Sequence, residues 1–128
     1  MLFDGGSRGN PGPSYGSYQL RLPGAAAPRL CRCTFGRMTN NEAEYATLIA
    51  GLETLAQALK QAGIPANQIR LHVRGDSQLV LAQLAGEWRV RNPRMQAYWA
   101  RARDLLDAYD SVAFRRVPRW RVVKALGH

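Results

Sequence analysis

The chain has 128 residues, of which 46% are hydrophobic, and this composition predicts one packed domain and excludes a disordered chain. No apolar run approaches the roughly 20 residues of a membrane span, and we expect neither a signal peptide nor a membrane partner. Cys31 and Cys33 are too few for a disulfide framework. We interpret them as reduced packing residues of a cytoplasmic protein rather than as half of a metal site.

The charge of the chain is strongly basic. Lys+Arg number 18 and Asp+Glu number 9, a formal net charge of +9, and only Lys60 and Lys124 are lysines. An arginine-dominated surface suits a phosphate-bearing partner because the guanidinium fork matches phosphate oxygens. The alternatives are solubility and an arginine-rich genome.

The first half of the chain predicts a hairpin followed by a long helix. A short strand at residues 2–3 is broken by Gly5 and Gly6, and residues 5–14 form a turn-rich loop. Strands at 15–22 and 30–35 pair as a hairpin. Thr39 or Asn40 caps a helix of about 20 residues that ends at 63–65, and Glu42 falls three residues after Thr39, as in a capping box. Its apolar stripe consists of Leu48, Leu52, Leu55 and Leu59.

The second half alternates strands and helices. We predict a strand at 69–73, a helix at 76–85, a connector at 89–93, a helix from Pro93 to 109, and a strand at 111–117 that Pro118 ends. This order indicates an α/β fold with a mixed five-stranded sheet flanked by helices, in a single domain over residues 1–128.

Three carboxylates stand out. Asp4 and Asp76 follow predicted strands, and such residues point to the sheet rim where α/β sites lie. Glu44 falls on the apolar stripe of the long helix, where an ionised carboxylate is costly without a partner. Glu42 and Glu53 lie off this stripe and are expected to be exposed. The alternatives are turn or N-cap roles for the aspartates, and for Glu44 a partly exposed residue that favours the helix dipole.

Carboxylates that converge without a cation repel one another and raise one another's pKa. Mg²⁺ prefers such oxygen ligands, and two ions roughly 4 Å apart stabilise the attacking and leaving oxygens of phosphodiester hydrolysis. An acidic metal pocket within a basic surface is typical of a nuclease.

Four runs together resemble the type 1 ribonuclease H family: DGGSRGNPGP at 4–13, TNNEAEY at 39–45, GDSQLV at 75–80 and, more weakly, RVPR at 116–119. They occur in family order and spacing and cover nearly the whole chain. The resemblance, closest to compact bacterial and archaeal members, implies the ribonuclease H-like fold. It also implies an endonuclease that hydrolyses the RNA strand of RNA–DNA hybrids. Two Mg²⁺ ions, with Mn²⁺ as a substitute, would leave 5′-phosphate and 3′-hydroxyl ends.

The resemblance also implies roles for individual residues. Asp4, Glu44 and Asp76 would be metal ligands, and Arg119 would act near the scissile phosphate. For Arg119 the alternative is a generic phosphate contact or a solvated charge. Minor-groove contacts to the hybrid are implied for Gly9, Asn10, Asn40, Asn41 and Gln78, since small amides reach 2′-hydroxyls in a shallow groove.

A basic protrusion of some family members is compressed here to residues 86–94. We predict that Arg89, Arg91 and Arg94 replace part of the contacts that this protrusion makes with phosphates. The alternative is that they belong to a solvated connector. Trp88 and Trp120 stack on sugars or pack in the core. Core packing is expected for Trp99, and His72 is expected to be structural.

The end of the chain departs from the family pattern. Leu126 stands where the family has a fourth carboxylate, and no Asp or Glu follows Asp110. His128 could hydrogen-bond a metal-bound water or carry a proton; the alternative is a disordered terminal histidine. We expect a short or truncated C-terminal end and a lowered metal affinity or rate.

Two other functions stay open at this point. One is a catalytically weakened protein that binds hybrids or double-stranded RNA without cutting. The other is a carboxylate-metal exonuclease of the same broad fold, which the matches at Asn40, Asn41 and Gln78 oppose. We expect a monomer, with double-stranded RNA as a conceivable further ligand.

Overall fold

The computed structural model describes residues 1–127 and confirms the mixed five-stranded sheet; His128 lies outside the described residues. The strands are β1 (Leu2–Ser7), β2 (Gly12–Leu20), β3 (Arg29–Met38), β4 (Arg70–Gly75) and β5 (Ser111–Arg116), in the order β3-β2-β1-β4-β5. The pairs β1–β2 and β2–β3 are antiparallel, whereas β1–β4 and β4–β5 are parallel. The connections change direction between β1 and β4, which leaves a crevice at the carboxyl ends of these strands.

The joint between β1 and β4 is short. Within residues 1–127 their pairing is confined to Leu2 opposite Arg74. Beyond it, Gly75 lies against the ring of Phe3, so closely that a Cβ there would be 3.0 Å from the ring. Glycine therefore permits β4 to reach β1 at the crevice.

Four helices cover the sheet: α1 (Asn40–Gln61), α2 (Gln78–Leu84), α3 (Pro93–Leu106) and α4 (Arg119–Leu126), with a 3₁₀ turn at Ala66–Gln68. The predicted capping box of α1 is confirmed: the Thr39 hydroxyl accepts from the Glu42 amide at 3.2 Å, and the Glu42 carboxylate accepts from the Thr39 amide at 3.1 Å. Pro93 begins α3 as predicted. No helix of residues 1–127 is long and apolar enough to cross a membrane.

The first strand is longer than predicted. It continues through Gly5 and Gly6, so that only residues 8–11 separate β1 from β2. The reason is the close approach of α1: a Cβ at Gly5 would overlap the carbonyl of Ala43, and one at Gly16 would overlap the Thr47 hydroxyl. These glycines serve packing within strands rather than a turn. Asp4 therefore lies inside β1 and not at its junction with a loop.

The larger core lies between α1 and one face of the sheet. The predicted leucine stripe of α1 is buried there against Phe3 and Tyr18. Trp99 packs on this core as predicted, and Cys31 and Cys33 are free thiols on the same strand face, half-buried against it.

The helix α4 was missed from sequence. β5 ends at Arg116, so the strand stops before Pro118 as predicted, but Pro118 is also the N-cap residue of α4. Val122 and Leu126 of this helix pack with Leu2 and Val117 into a second, smaller core. Leu126 is 0% exposed. Apolar packing thus fills the position at which the family resemblance implies a carboxylate.

Candidate active site

Asp4, Asp76 and Arg119 meet at the crevice from three different elements. Asp4 is 5% exposed within β1, Asp76 follows β4, and Arg119 is the first residue of α4. The Arg119 Nη1 atom lies 2.7 Å from Asp4 Oδ2 and 3.3 Å from Asp76 Oδ2. Its hydrogen bond to Asp4 raises the pKa of Arg119 above its ordinary value. One guanidinium therefore bridges both carboxylates.

Strand β5 fixes Arg119 relative to Asp76. The Val117 amide donates to the Gly75 carbonyl at 2.8 Å, which extends the pairing of β4 and β5 to the crevice. Arg116 Nε donates to the carbonyl oxygen of Asp76 at 3.2 Å. The start of α4 is thus held beside the end of β4 by one backbone hydrogen bond and one side-chain hydrogen bond.

Glu44 of α1 is the third carboxylate at the crevice. Burial, with smaller contributions from Asp76 and Asp4, raises the pKa of Glu44 to about 7, against opposing effects of a Ser77 hydrogen bond and of Arg119. Its Oε2 atom is buried without a hydrogen-bond partner among residues 1–127. An unpaired, buried carboxylate oxygen in a group of like charges is stabilised by a cation.

Ser77 is a site residue that the sequence reasoning missed. Its hydroxyl accepts from the Val80 amide at 3.3 Å and caps α2, and Ser77 also forms a side-chain hydrogen bond with Glu44. Since Ser77 is the cap, the N-cap alternative for Asp76 is wrong. A serine directly before a predicted apolar helix was the available signal.

The donor chemistry of the crevice suits a hard divalent cation, because carboxylate oxygens are its preferred protein ligands. Asp4, Glu44 and Asp76 are the residues that could hold it. Within residues 1–127, however, no three acidic, histidine or cysteine side chains are already spaced to share one ion. Instead, the carboxylates of Asp4 and Asp76 form a pair that the positively charged Arg119 bridges.

The predicted groove residues Gly9, Asn10 and Asn40 come together beside the crevice. Asn40 Oδ1 accepts from the Ser7 amide at 2.9 Å, and Asn10 Oδ1 accepts from the Asn40 amide at 3.0 Å. Gly9, at a φ of 94°, lets the loop turn at this point. Both side-chain oxygens are used inside the protein, so each asparagine has its Nδ2 group left to donate outward.

The remaining predicted groove residues are exposed at helix starts. Asn41 lies in the first turn of α1 and Gln78 is the first residue of α2, two positions after Asp76. The structure therefore brings the predicted groove residues to one rim of the sheet.

The connector arginines divide into two groups. Arg89 and Arg91 are exposed between α2 and α3 and form no ion pair within residues 1–127, whereas Arg94 Nη1 lies 3.6 Å from Glu42 Oε1. The prediction that Glu42 is exposed is wrong, since it is 8% exposed. Capping of α1 and the contact with Arg94 keep it close to the protein.

Comparison with known proteins identifies the family. Residues 26–126 match the family model described as reverse transcriptase-like. The crystal structure of RNase H1 from Halobacterium salinarum is 39% identical with a TM-score of 0.80, covering 98% of this chain and 90% of that one. The N-terminal RNase H domain of a Mycobacterium tuberculosis protein is 31% identical with a TM-score of 0.82, covering 98% and 93%. LC11-RNase H1, solved in complex with RNA/DNA hybrid, is 26% identical with a TM-score of 0.83, covering 96% and 87%.

The sheet order and the acidic crevice define an α/β protein with the ribonuclease H-like fold. The chain belongs to the type 1 ribonuclease H family. It is 42% identical to the ribonuclease HI of Halobacterium salinarum over 117 residues, which are 91% of this chain and 55% of that protein. It is 36% identical to a bifunctional protein of Mycobacterium tuberculosis, of which it covers 30%. The chain thus spans about half or less of these curated relatives.

Proposed function

We propose that this chain is an endonuclease that hydrolyses the RNA strand of RNA–DNA hybrids. The observation that carries the proposal is the convergence of Asp4, Glu44 and Asp76 from three elements, with one buried Glu44 oxygen unpaired within residues 1–127. The RNA/DNA hybrid bound by LC11-RNase H1 supports the class of substrate.

Asp4, Glu44 and Asp76 would hold the divalent cations, for which we propose Mg²⁺, with Mn²⁺ as a substitute. Two such ions would supply an activated water and charge stabilisation at the leaving oxygen, giving 5′-phosphate and 3′-hydroxyl products. Positive charge from bound cations would oppose the burial that raises the pKa of Glu44 and would favour its ionised carboxylate. Arg119 lies against both aspartates, and its guanidinium would contact the scissile phosphate if cations replaced it at those carboxylates.

Binding of the hybrid rests on the amide groups at the rim. Asn10 and Asn40 present Nδ2 donors, because their oxygens accept from backbone amides. Donors suit the minor groove, whose edges carry 2′-hydroxyls and base acceptors. Gly9, Asn41 and Gln78 continue this surface past the crevice. Since these groups contact no unique base pattern, recognition follows helix shape rather than sequence.

The connector arginines would bind phosphates of the hybrid at a distance from the crevice. Arg89 and Arg91 offer exposed guanidinium groups to phosphates. Arg94 in addition forms an ion pair with Glu42, which connects α3 to the start of α1.

A second candidate function is hybrid or double-stranded RNA binding without cleavage. The observation that favours it is Leu126, which occupies the expected place of a fourth carboxylate and is fully buried among apolar side chains. Leucine cannot bind a cation, so three carboxylates and the substrate phosphate would have to suffice.

Cleavage of an internally labelled and of an end-labelled RNA–DNA hybrid, with Mg²⁺, Mn²⁺ or EDTA, tests the proposal. We expect metal-dependent internal cuts that are lost in Asp76→Asn. The matched control Asp104→Asn, whose side chain is 78% exposed on α3, should cut normally. Binding without cleavage under every metal condition would favour the second candidate, and stepwise release from one end would indicate an exonuclease.

The assembly and the location of the chain also stay predictions. We propose that it acts as a monomer, which light scattering at several concentrations would test. A cytoplasmic location is likewise expected and is tested by cell fractionation.

A further inference from the structure

The first turn of α4 presents a large aromatic side chain to solvent. Trp120 is 63% exposed, and the guanidinium of Arg121 lies over its ring, 5.5 Å from the ring centroid. Exposed apolar side chains are common one at a time, so exposure alone does not identify a binding surface. The position of Trp120 and the positive charge around it indicate a binding surface.

Helix α4 holds Trp120 away from the protein interior. The helix is fixed by Val122 and Leu126, both 0% exposed in the core beneath it. Because helical residues turn by about 100° per position, Trp120 projects from the side opposite Val122. The indole is therefore displayed from a rigid element and cannot fold back into the core.

Trp120 directly follows a residue of the acidic crevice. Its neighbour Arg119 contacts Asp4 and Asp76 directly, at 2.7 Å and 3.3 Å. Helix α4 carries Arg121 and Lys124 in addition, and the sequence has no acidic residue after Asp110. One edge of the crevice therefore combines an aromatic face with positive charge, the pair of features that binds phosphate-linked bases.

The chemistry of the ligand follows from what an indole can reach. The bases of a hybrid are stacked and paired, so their faces are not accessible from outside the duplex. An unpaired nucleotide offers its base face, and stacking on an aromatic side chain is tolerant of sequence because every base has such a face.

We propose that Trp120 and Arg121 form a stacking platform for unpaired RNA nucleotides that continue from the hybrid past the crevice. The inference rests on the proposed function, in which the crevice holds the RNA strand. A hybrid whose RNA strand extends as a single strand on the side of the platform is then bound more tightly than a blunt hybrid.

Fluorescence anisotropy tests this inference with a blunt hybrid and with hybrids that carry about five unpaired RNA nucleotides at the 5′ or the 3′ end. EDTA prevents cleavage during the measurement. We expect one of the two extensions to tighten binding by at least about fivefold, the lower end of what one stacked base contributes. An equal extension of the DNA strand should give no such gain.

Trp120→Ala should abolish the gain and leave binding of the blunt hybrid within about twofold, since an exposed side chain contributes little to the fold. Trp88→Ala is the matched control: Trp88 is 44% exposed on the connector, and its loss should leave the gain intact. The inference is overturned if neither RNA extension tightens binding, if DNA serves equally well, or if Trp120→Ala retains the gain.

Single-stranded RNA alone separates this inference from the proposed function. If the blunt hybrid is neither bound in EDTA nor cut with Mg²⁺ or Mn²⁺, the proposed function fails, and quenching of tryptophan fluorescence by oligouridine still tests the platform. Quenching that Trp120→Ala removes supports the platform, and quenching that persists in this variant refutes it.

Discussion

Replacing Leu126 by alanine should destabilise the domain by about 2 to 3 kcal/mol. The side chain is 0% exposed and packs with Leu2, Val117 and Val122, so its loss forfeits burial and leaves a cavity. Leucine-to-alanine changes in cores cost about 2 to 5 kcal/mol, and the lower half applies because this core has four buried residues among residues 1–127 and can settle around the gap.

Thermal and denaturant unfolding followed by circular dichroism measure this effect. For a domain of this size the change lowers Tm by roughly 10 °C. The matched control is Leu30→Ala, because Leu30 is 44% exposed on β3 and its removal should change Tm little. Equal losses of stability in the two variants would refute the assignment of Leu126 to a packed core.

Leu126→Asp separates packing from chemistry at the same position. A carboxylate placed in this apolar core is unpaired, so we expect destabilisation at least as large as for alanine and no increase in cleavage of the hybrid. A stable variant with faster metal-dependent cleavage would show that the side chain reaches the crevice and would contradict the structural account.

Three further perturbations follow from the site and its support. Burial raises the pKa of Glu44 from 4.5 to about 7, so without metal the folded state binds its proton more tightly. Stability should fall by up to about 3 kcal/mol as pH rises from 4.5 to 7, and Glu44→Gln should flatten this slope in denaturant titrations. Gly16→Ala should unfold at a much lower temperature because its Cβ overlaps a hydroxyl of α1, whereas Gly36→Ala, with open space around it, should lose little. Reversing Arg89 and Arg91 to glutamate should weaken hybrid binding and flatten its dependence on salt, and an unchanged salt slope would contradict a phosphate grip.

The order of strands and helices along the chain was predictable because hydrophobic periodicity and helix capping are local signals. The capping box at Thr39 and the leucine stripe of α1 needed only neighbouring residues, and both are confirmed. The sequence also marked Glu44 as unusual, since a carboxylate on an apolar stripe conflicts with burial. Its raised pKa follows from the same conflict.

The failures arose where tertiary contacts override local preference. Gly5 and Gly6 suggested a turn, but α1 passes so close to β1 that the strand needs a residue without a side chain at Gly5. Pro118 ends the last strand as predicted, but the helix that follows it was not predicted, because that helix packs against Leu2, far away in sequence. The bridge from Arg119 to two aspartates was equally hidden, because it depends on where three elements meet.

The short pairing between β1 and β4 lies between two halves of the fold that carry different carboxylates. Asp4 and Glu44 belong to the half in which α1 is clamped onto β1 and β2 through glycines, whereas Asp76 belongs to the half built on β4 and β5. The spacing of the three carboxylates is therefore a matter of how the halves are seated against each other. One contact between the halves is that of the Phe3 ring with Gly75, an apolar contact without any catalytic chemistry of its own. Together with the packing of Leu2 against Val122 and Leu126, this contact contributes to the width of the acidic crevice.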